Sequence, residues 1–177
     1  MKKAILIIGA TGVGKTVLSK HLQKLGHEAY GIEDIEGMFT VYHKGTREVF
    51  KNYNITNPEH IKSSDWICDV EMLKELLHHQ KTGIAFYAGI ATNLDEVIPL
   101  FNKVILLKVS NKKLQERLES REGSEEEMGN TEATRKLTFE WKDWWEGEME
   151  KKGVMIVDAD KSLDEVAKKI IDLESSF

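Results

Sequence analysis

Gly9-Ala10-Thr11-Gly12-Val13-Gly14-Lys15-Thr16 fits the pattern G-x-x-x-x-G-K-[ST] at every fixed position. Its context is the one the pattern requires. The apolar run Ala4 to Ile8 precedes it, and Thr16 to Leu25 follows with Val17, Leu18, His21, Leu22 and Leu25 at helical spacing before Gly26. A strand that turns sharply into a helix through glycines can aim successive backbone N–H groups at one anion, and the helix N-terminus adds positive potential. In that geometry the Lys15 amine meets the β- and γ-phosphates of a nucleotide and the Thr16 hydroxyl meets Mg²⁺. Gly9, Thr11, Gly12, Val13, Gly14, Lys15, Thr16 and Val17 are therefore the expected nucleotide contacts.

Outward from this loop, apolar runs alternate with helical patterns. Glu28 to Ile32, Ile84 to Tyr87, Val104 to Val109 and Val154 to Val157 are expected as further strands. Asp69 to Gln80, a short helix after Asn93, Asn111 to Arg121 and Arg135 to Lys151 are expected as helices. A last helix follows a Ser162/Glu165 capping box. Strands that are apolar throughout and separated by helices predict an α/β domain whose parallel sheet is covered on both faces. Two stretches break the pattern. Residues 36–65 are polar and interrupted by Gly37, Gly45 and Asn57-Pro58, and residues 122–134 carry Glu125, Glu126 and Glu127 with almost no apolar residue. The second reads as an exposed loop or lid.

The chain has 177 residues, enough for one self-sufficient core, taken as a single domain over 1–177. The formal net charge of −5 argues against general binding of nucleic acid or anionic membranes. Cys68 is the only cysteine, so no intrachain disulfide forms, which fits a reducing, cytoplasmic setting. The opening Met1-Lys2-Lys3 and its five apolar residues imitate a signal peptide, but the run is too short for one.

The phosphate loop, the length, the segment Leu114-Gln115-Glu116-Arg117-Leu118-Glu119-Ser120-Arg121 and the C-terminal stretch from Lys151 to Val166 together resemble the nucleoside-monophosphate-kinase-like P-loop group, in its adenylate kinase and shikimate kinase branch. The resemblance spans nearly the whole chain. It implies a three-layer αβα sandwich with a five-stranded parallel sheet of order 2-3-1-4-5 and a small lid, and ATP with Mg²⁺ as the nucleotide partner. It also implies roles. Arg121 reaches the phosphates, Arg117 stacks near the adenine, Arg135 swings onto the transferring group, and Asp160 and Lys161 lie in the loop that touches the adenine. Arginine suits such positions because its planar fork pairs with two phosphate oxygens at once.

Gly31-Ile32-Glu33-Asp34-Ile35-Glu36-Gly37 falls where the resemblance places a carboxylate for the acceptor hydroxyl or for a Mg²⁺-bound water. Asp34 is the candidate for both the catalytic and the metal-linked role, with Glu33 and Glu36 as neighbours in adjacent register. Trp66, Asp69, Gly89 and Asn93 are candidate acceptor contacts, and residues 36–65 a candidate acceptor-binding insertion. Read locally, Asp65 to Asp69 is equally a helix start with an aspartate cap and Trp66 in the core. The Trp141, Trp144 and Trp145 stripe reads as packing.

One departure narrows the acceptor. Monophosphate kinases of this group hold the acceptor phosphate with arginines, one of them after the third strand. Here that segment is Tyr87-Ala88-Gly89-Ile90-Ala91-Thr92-Asn93, without a cation. A buried dianion needs matching cations. The expected activity is thus transfer of the γ-phosphoryl group of ATP to a small hydroxyl acceptor. A nucleoside monophosphate kinase, kept open by Lys44, Arg47, Lys51 and Lys62, and a P-loop ATPase or nucleotide-binding module are the alternatives. A nucleic-acid end kinase is disfavoured by the acidic balance.

Overall fold

Five apolar strands form the centre of the computed structural model, which describes residues 2–121 and 127–174. The strands are β1 (Lys3–Ile8), β2 (Glu28–Gly31), β5 (Ile84–Ala88), β6 (Lys103–Lys108) and β7 (Met155–Asp158). All neighbouring pairs are parallel, in the order β2-β5-β1-β6-β7. Counted along this sheet alone, that is the expected 2-3-1-4-5.

Because β1 is covered on both faces, its side chains alternate between two cores rather than between core and water. Ile5 and Ile7 join Leu18, Leu22, Phe86, Ile105, Leu107, Leu114, Leu118 and Ile170 on one face. Leu6 and Ile8 join Ile32, Leu73, Tyr87, Leu94, Val97, Leu106, Trp145 and Met149 on the other. The first layer is built by helices α1 (Lys15–Lys24), α5 (Asn111–Glu119) and α7 (Leu163–Glu174). The second is built by α3 (Val70–His78), the short α4 (Leu94–Val97) and α6 (Glu132–Lys151). The Ser162/Glu165 box forms as expected, with Glu165 N–H donating to Ser162 Oγ (3.3 Å) and Ser162 N–H to Glu165 Oε2 (3.0 Å).

Three expectations need correction. Residues 36–65 are only partly irregular: they contain β3 (Phe39–His43) and the short helix α2 (Pro58–Lys62), and run into β4 (Ser64–Cys68), which pairs antiparallel with β3, while residues 44–57 form turns and loop. Trp66 therefore stands on a strand, not at a helix start. The α6 helix begins at Glu132, inside the stretch read as lid, because Thr131 and Thr134 cap each other's backbone N–H groups. The rest of that stretch includes residues 122–126, which lie outside the described residues. Of the tryptophan stripe only Trp145 lies on the buried face of α6. That face is Thr134, Thr138, Lys142, Trp145, Glu146 and Met149, and Trp144 is 64% exposed. Lys142 and Glu146 are buried together. The Lys142 amine donates to Glu146 Oε2 (3.3 Å) and Asn111 Oδ1 (3.1 Å), so that the charge on each side chain has a partner.

The edge strand β2 is anchored at its start by one carboxylate. Glu28 accepts from the Lys81 N–H (2.9 Å), the Thr82 N–H (2.6 Å), the Thr82 hydroxyl (2.7 Å) and the Tyr30 hydroxyl (2.8 Å), which ties β2 to the turn before β5. Desolvation pushes this carboxyl up, but the four donors outweigh it and hold it down at about 2, against an ordinary 4.5. A depressed carboxylate contributes stability that is complete above its unfolded pKa and is lost as pH falls through the folded one. Glu28→Gln is expected to cost about 1 kcal/mol at pH 7 for this largely solvated group. The gap in thermal midpoint between variant and wild type should close between pH 4.5 and about 2. Thermal melts across that range test it, and a pH-independent gap would refute the linkage.

Candidate active site

Parallel strands send their C-terminal ends to one edge of the sheet, and ligands of open α/β sheets bind in the crevice there. β1 lies in the middle of the order, so the loop leaving it sits at the centre of that edge, with β2 ending on one flank and β7 on the other. An open cleft of about 670 Å³ occupies this place. Its floor is residues 11–18. Glu33, Asp34, Ile55 and Trp66 line it from the β2 flank, and Arg117, Ala159, Lys161, Leu163 and Val166 from the β6–β7 flank. Ser120, Arg121, Glu127 and Met128 complete the wall.

The floor has the geometry of an anion cradle. Gly12 and Gly14 have φ of +88° and +105°, which L side chains rarely adopt. Gly12 has a second reason to be glycine: a Cβ there would lie 2.8 Å from Leu118 Cδ2 and 2.9 Å from Leu114 Cδ1. Gly9 likewise has no room, since a Cβ would meet Val13 Cγ2 at 2.6 Å. The α1 N-terminus has no side-chain cap and no acidic residue in its first turn. Its first-turn N–H groups have no carbonyl partner within the helix, so they and the dipole are free for a phosphate.

Lys15 lies folded over this loop, its amine donating to Gly9 O (2.9 Å) and Ala10 O (3.4 Å) and standing 3.8 Å from Glu33 Oε1. Burial pulls its pKa below the ordinary 10.5. Glu33 pushes it back up, and nearby Arg121 pulls it down again. Glu33 in turn is pinned, because its Oε1 accepts the Ile90 N–H at 2.6 Å. The backbone at Gly89 comes so close to Ile32 that a Cβ would sit 2.4 Å from Ile32 Cγ1. Gly89 thus acts by letting the β5 loop reach Glu33, not by lining the cleft. The carboxylate paired with Lys15 is therefore Glu33, while Asp34 lines the same cleft one residue on and is exposed there. Thr16 and Val17 are also exposed in the cleft. Val17, expected on the buried face of α1, is 58% exposed.

Arg117 braces the loop from the far side. Its Nη1 donates to Val13 O (2.9 Å) and its Nη2 to Ala159 O (3.0 Å), which joins the phosphate loop to the turn after β7. Arg121 donates to Met128 O (3.1 Å) and pairs with Glu127 at 3.5 Å.

Four expected site residues are used differently. Arg135 is not among the cleft-lining residues, and its Nη1 donates to Gly129 O (3.3 Å) and Asn130 O (3.4 Å). The Asp160 carboxylate accepts the Ser110 N–H (2.8 Å) and so holds the turn between β6 and α5; only Lys161 of that pair lines the cleft. Asp69 caps α3, accepting from Glu71 N–H and Met72 N–H at 3.0 Å each. Asn93 does not cap α4 through its side chain. Its amide clamps β4, accepting the Cys68 N–H (2.9 Å) and donating to the Cys68 carbonyl (3.0 Å). Sequence reasoning missed several lining residues, among them Leu107, Met128, Ala159 and Ile55, the last a single apolar side chain in a polar stretch. Lys44, Arg47, Lys51 and Lys62 are exposed and outside the cleft, and Lys62 pairs with Glu59 at 3.0 Å. No group of three or more metal-binding side chains occurs among the described residues. A Mg²⁺ ion would rest on Thr16, with Asp34 or Glu33 within the same cleft.

The sequence matches the AAA domain family model over residues 5–137, most of the chain. It belongs to that family. No match was found among curated proteins. Solved structures show how this AAA domain is laid out. Shikimate kinase from Acinetobacter baumannii, in complex with shikimate, matches with a TM-score of 0.62 at 16% identity, over 99% of this chain and 94% of that one. Deoxyadenosine kinase from M. mycoides with bound dATP matches with a TM-score of 0.55 at 15% identity, over 98% and 99%. A gluconokinase from Sinorhizobium meliloti 1021 gives 0.52 at 15% identity, over 94% and 87%. At these identities the likeness is one of fold, and the fold is that of the nucleoside-monophosphate-kinase-like P-loop group. No helix among the described residues is long and apolar enough to cross a membrane.

The Lys15–Glu33 pair is open to direct measurement. In Glu33→Gln the Lys15 amine loses the neighbour that pushes its pKa up, so its titration should move further below 10.5. NMR titration of ¹³C-dimethylated lysines reads the shift, and an unmoved Lys15 signal would contradict the pairing.

Proposed function

We propose that this AAA domain is a small-molecule kinase that moves the γ-phosphoryl group of ATP to a hydroxyl acceptor. The observation that carries the proposal is the meeting of two chemistries in one cleft. A phosphate cradle with its lysine occupies the floor, and a pinned carboxylate stands 3.8 Å from that lysine on the flank away from the expected adenine site. A carboxylate beside the cradle is what an alcohol needs to give up its proton as it is phosphorylated.

Phosphoryl transfer asks little covalent help of a protein; positioning and charge neutralisation do most of the work. Mg²⁺–ATP supplies the phosphoryl group and part of the neutralisation. The amides of residues 12–16 would hold the phosphates, and the Thr16 hydroxyl would hold a Mg²⁺ ion that neutralises them. Lys15 leaves the Gly9 and Ala10 carbonyls for phosphate oxygens, whose negative charge favours the charged amine. Arg121 adds a second cation beside it. Arg117, fixed by two carbonyls, presents its flat face to the adenine, with Lys161 on the same flank. Asp34 takes the proton of the acceptor hydroxyl, and Glu33 orients the acceptor end. Residues 36–65 form the acceptor side through Ile55.

Transfer of labelled phosphate from ATP to a metabolite panel, with nucleotide binding followed by calorimetry, tests this. Lys15→Met should lower transfer roughly 10²–10³-fold. Asp34→Asn should lower kcat by about 10²-fold with ATP affinity within about threefold. Hydrolysis of ATP that no acceptor accelerates would overturn the kinase reading.

A further inference from the structure

The acceptor end of the cleft has a definite chemistry. It is walled by two carboxylates, Glu33 and Asp34, one indole, Trp66, and one aliphatic side chain, Ile55. The cations among the described lining residues are Lys15, Arg117, Arg121 and Lys161. Lys15 belongs to the phosphate loop, and the other three come from the β6–β7 side. The four cations of the insertion lie outside the cleft. Glu33 is tethered on the acceptor wall, since its Oε1 accepts the Ile90 N–H at 2.6 Å.

Trp66 is as firmly placed. Its strand pairs with β3, with Trp66 opposite Val41. Its N–H donates to Thr92 Oγ1 (2.9 Å), and its carbonyl accepts the Thr92 N–H (2.7 Å). Its ring centroid lies 5.7 Å from that of Phe39 and 6.3 Å from that of Tyr53. A fixed indole beside an isoleucine favours a ring laid flat against it, and both the indole face and the carboxylates favour positive over negative charge.

We infer that the acceptor is an alcohol that bears a ring and carries no negative charge, neutral or aminated. The inference rests on the kinase reading and selects its substrate class. In the reaction the acceptor oxygen forms a bond to the γ-phosphorus. The bond from that phosphorus to the β–γ bridging oxygen breaks, its electron pair leaves with ADP, and the hydroxyl proton passes to Asp34. An acceptor that already carries a phosphate or carboxylate would set that anion against Glu33 and Asp34, where the one neighbouring cation, Lys15, is taken up by the phosphate loop and its nucleotide, so the same walls that admit the alcohol disfavour its acid.

The test compares matched pairs on the full chain with Mg²⁺–ATP: adenosine with AMP, cytidine with CMP, and glucosamine with glucosamine 6-phosphate. The uncharged or aminated member of an accepted pair should have at least a tenfold higher kcat/KM. The pair that responds separates nucleosides from amino sugars as the source of the ring. Ile55→Arg, which places a cation on the acceptor wall, should narrow that ratio at least tenfold. Trp66→Ala should raise the KM of the accepted alcohol about tenfold while leaving the KM of ATP in place. Equal rises in both would mark the indole as merely structural and sink the ring contact. Transfer to the anionic members alone would overturn the inference and leave the kinase reading standing. Transfer to no member of the panel would remove both.

Discussion

The N-terminus of α1 ends in backbone N–H groups that the protein does not satisfy for itself, and the site is arranged round that deficit. Gly14 offers no capping side chain and the first helical turn carries no acid, so the positive end of the helix dipole stays uncompensated. Leaving donors unpaired is tolerable only where an anion comes to them. The loop that presents them is therefore held by α5, with Leu114 and Leu118 against Gly12 and Arg117 on the Val13 carbonyl, and by the strand behind it. These two supports are far apart in the chain, and the sheet order brings them together.

Lys15 shows how the cationic side chain of the loop is balanced. Its amine is buried, which disfavours the charge, and is offset by two carbonyls and by Glu33. The same carboxylate that balances the lysine is, on the kinase proposal, the one that would face the acceptor, and it joins the two halves of the cleft.

Much of this was legible in the residues. The phosphate loop carries its own signature, and strands buried on both faces, such as Ala4 to Ile8, read as continuous apolar runs. The β3–β4 hairpin was not legible. Its strands are mostly half-buried, mix Thr, His, Ser and Asp with aromatics, and are separated by a long polar stretch rather than a turn. Side-chain partners were not legible where a residue of the right type spends its groups on backbone. Asp160 on Ser110 and Asn93 on Cys68 reach far along the chain, and Arg135 turns to the nearby Gly129 and Asn130 carbonyls. Nothing in the local sequence distinguishes Glu33 from Asp34 either. Which of them reaches Lys15 is decided by a single 3₁₀ turn, Ile32–Asp34, and by where Gly89 lets the neighbouring loop approach. The buried face of α6 was misread because Lys142 and Glu146, outwardly surface residues, neutralise each other inside, whereas Trp144 does not need to be covered.

The position of Cys68 equips the molecule with its own gauge. The thiol is 1% exposed at the end of β4, where Asn93 grips both backbone groups of the same residue, and burial together with nearby Asp69 holds its pKa up at about 11. There it is shielded and protonated, and so unreactive. Since the chain has no second cysteine, a maleimide or disulfide reagent added to the native protein reports on one site alone, through the openings that uncover the end of β4. The rate of that labelling, followed with and without candidate ligands, is a clock for the acceptor wall that needs no engineered probe.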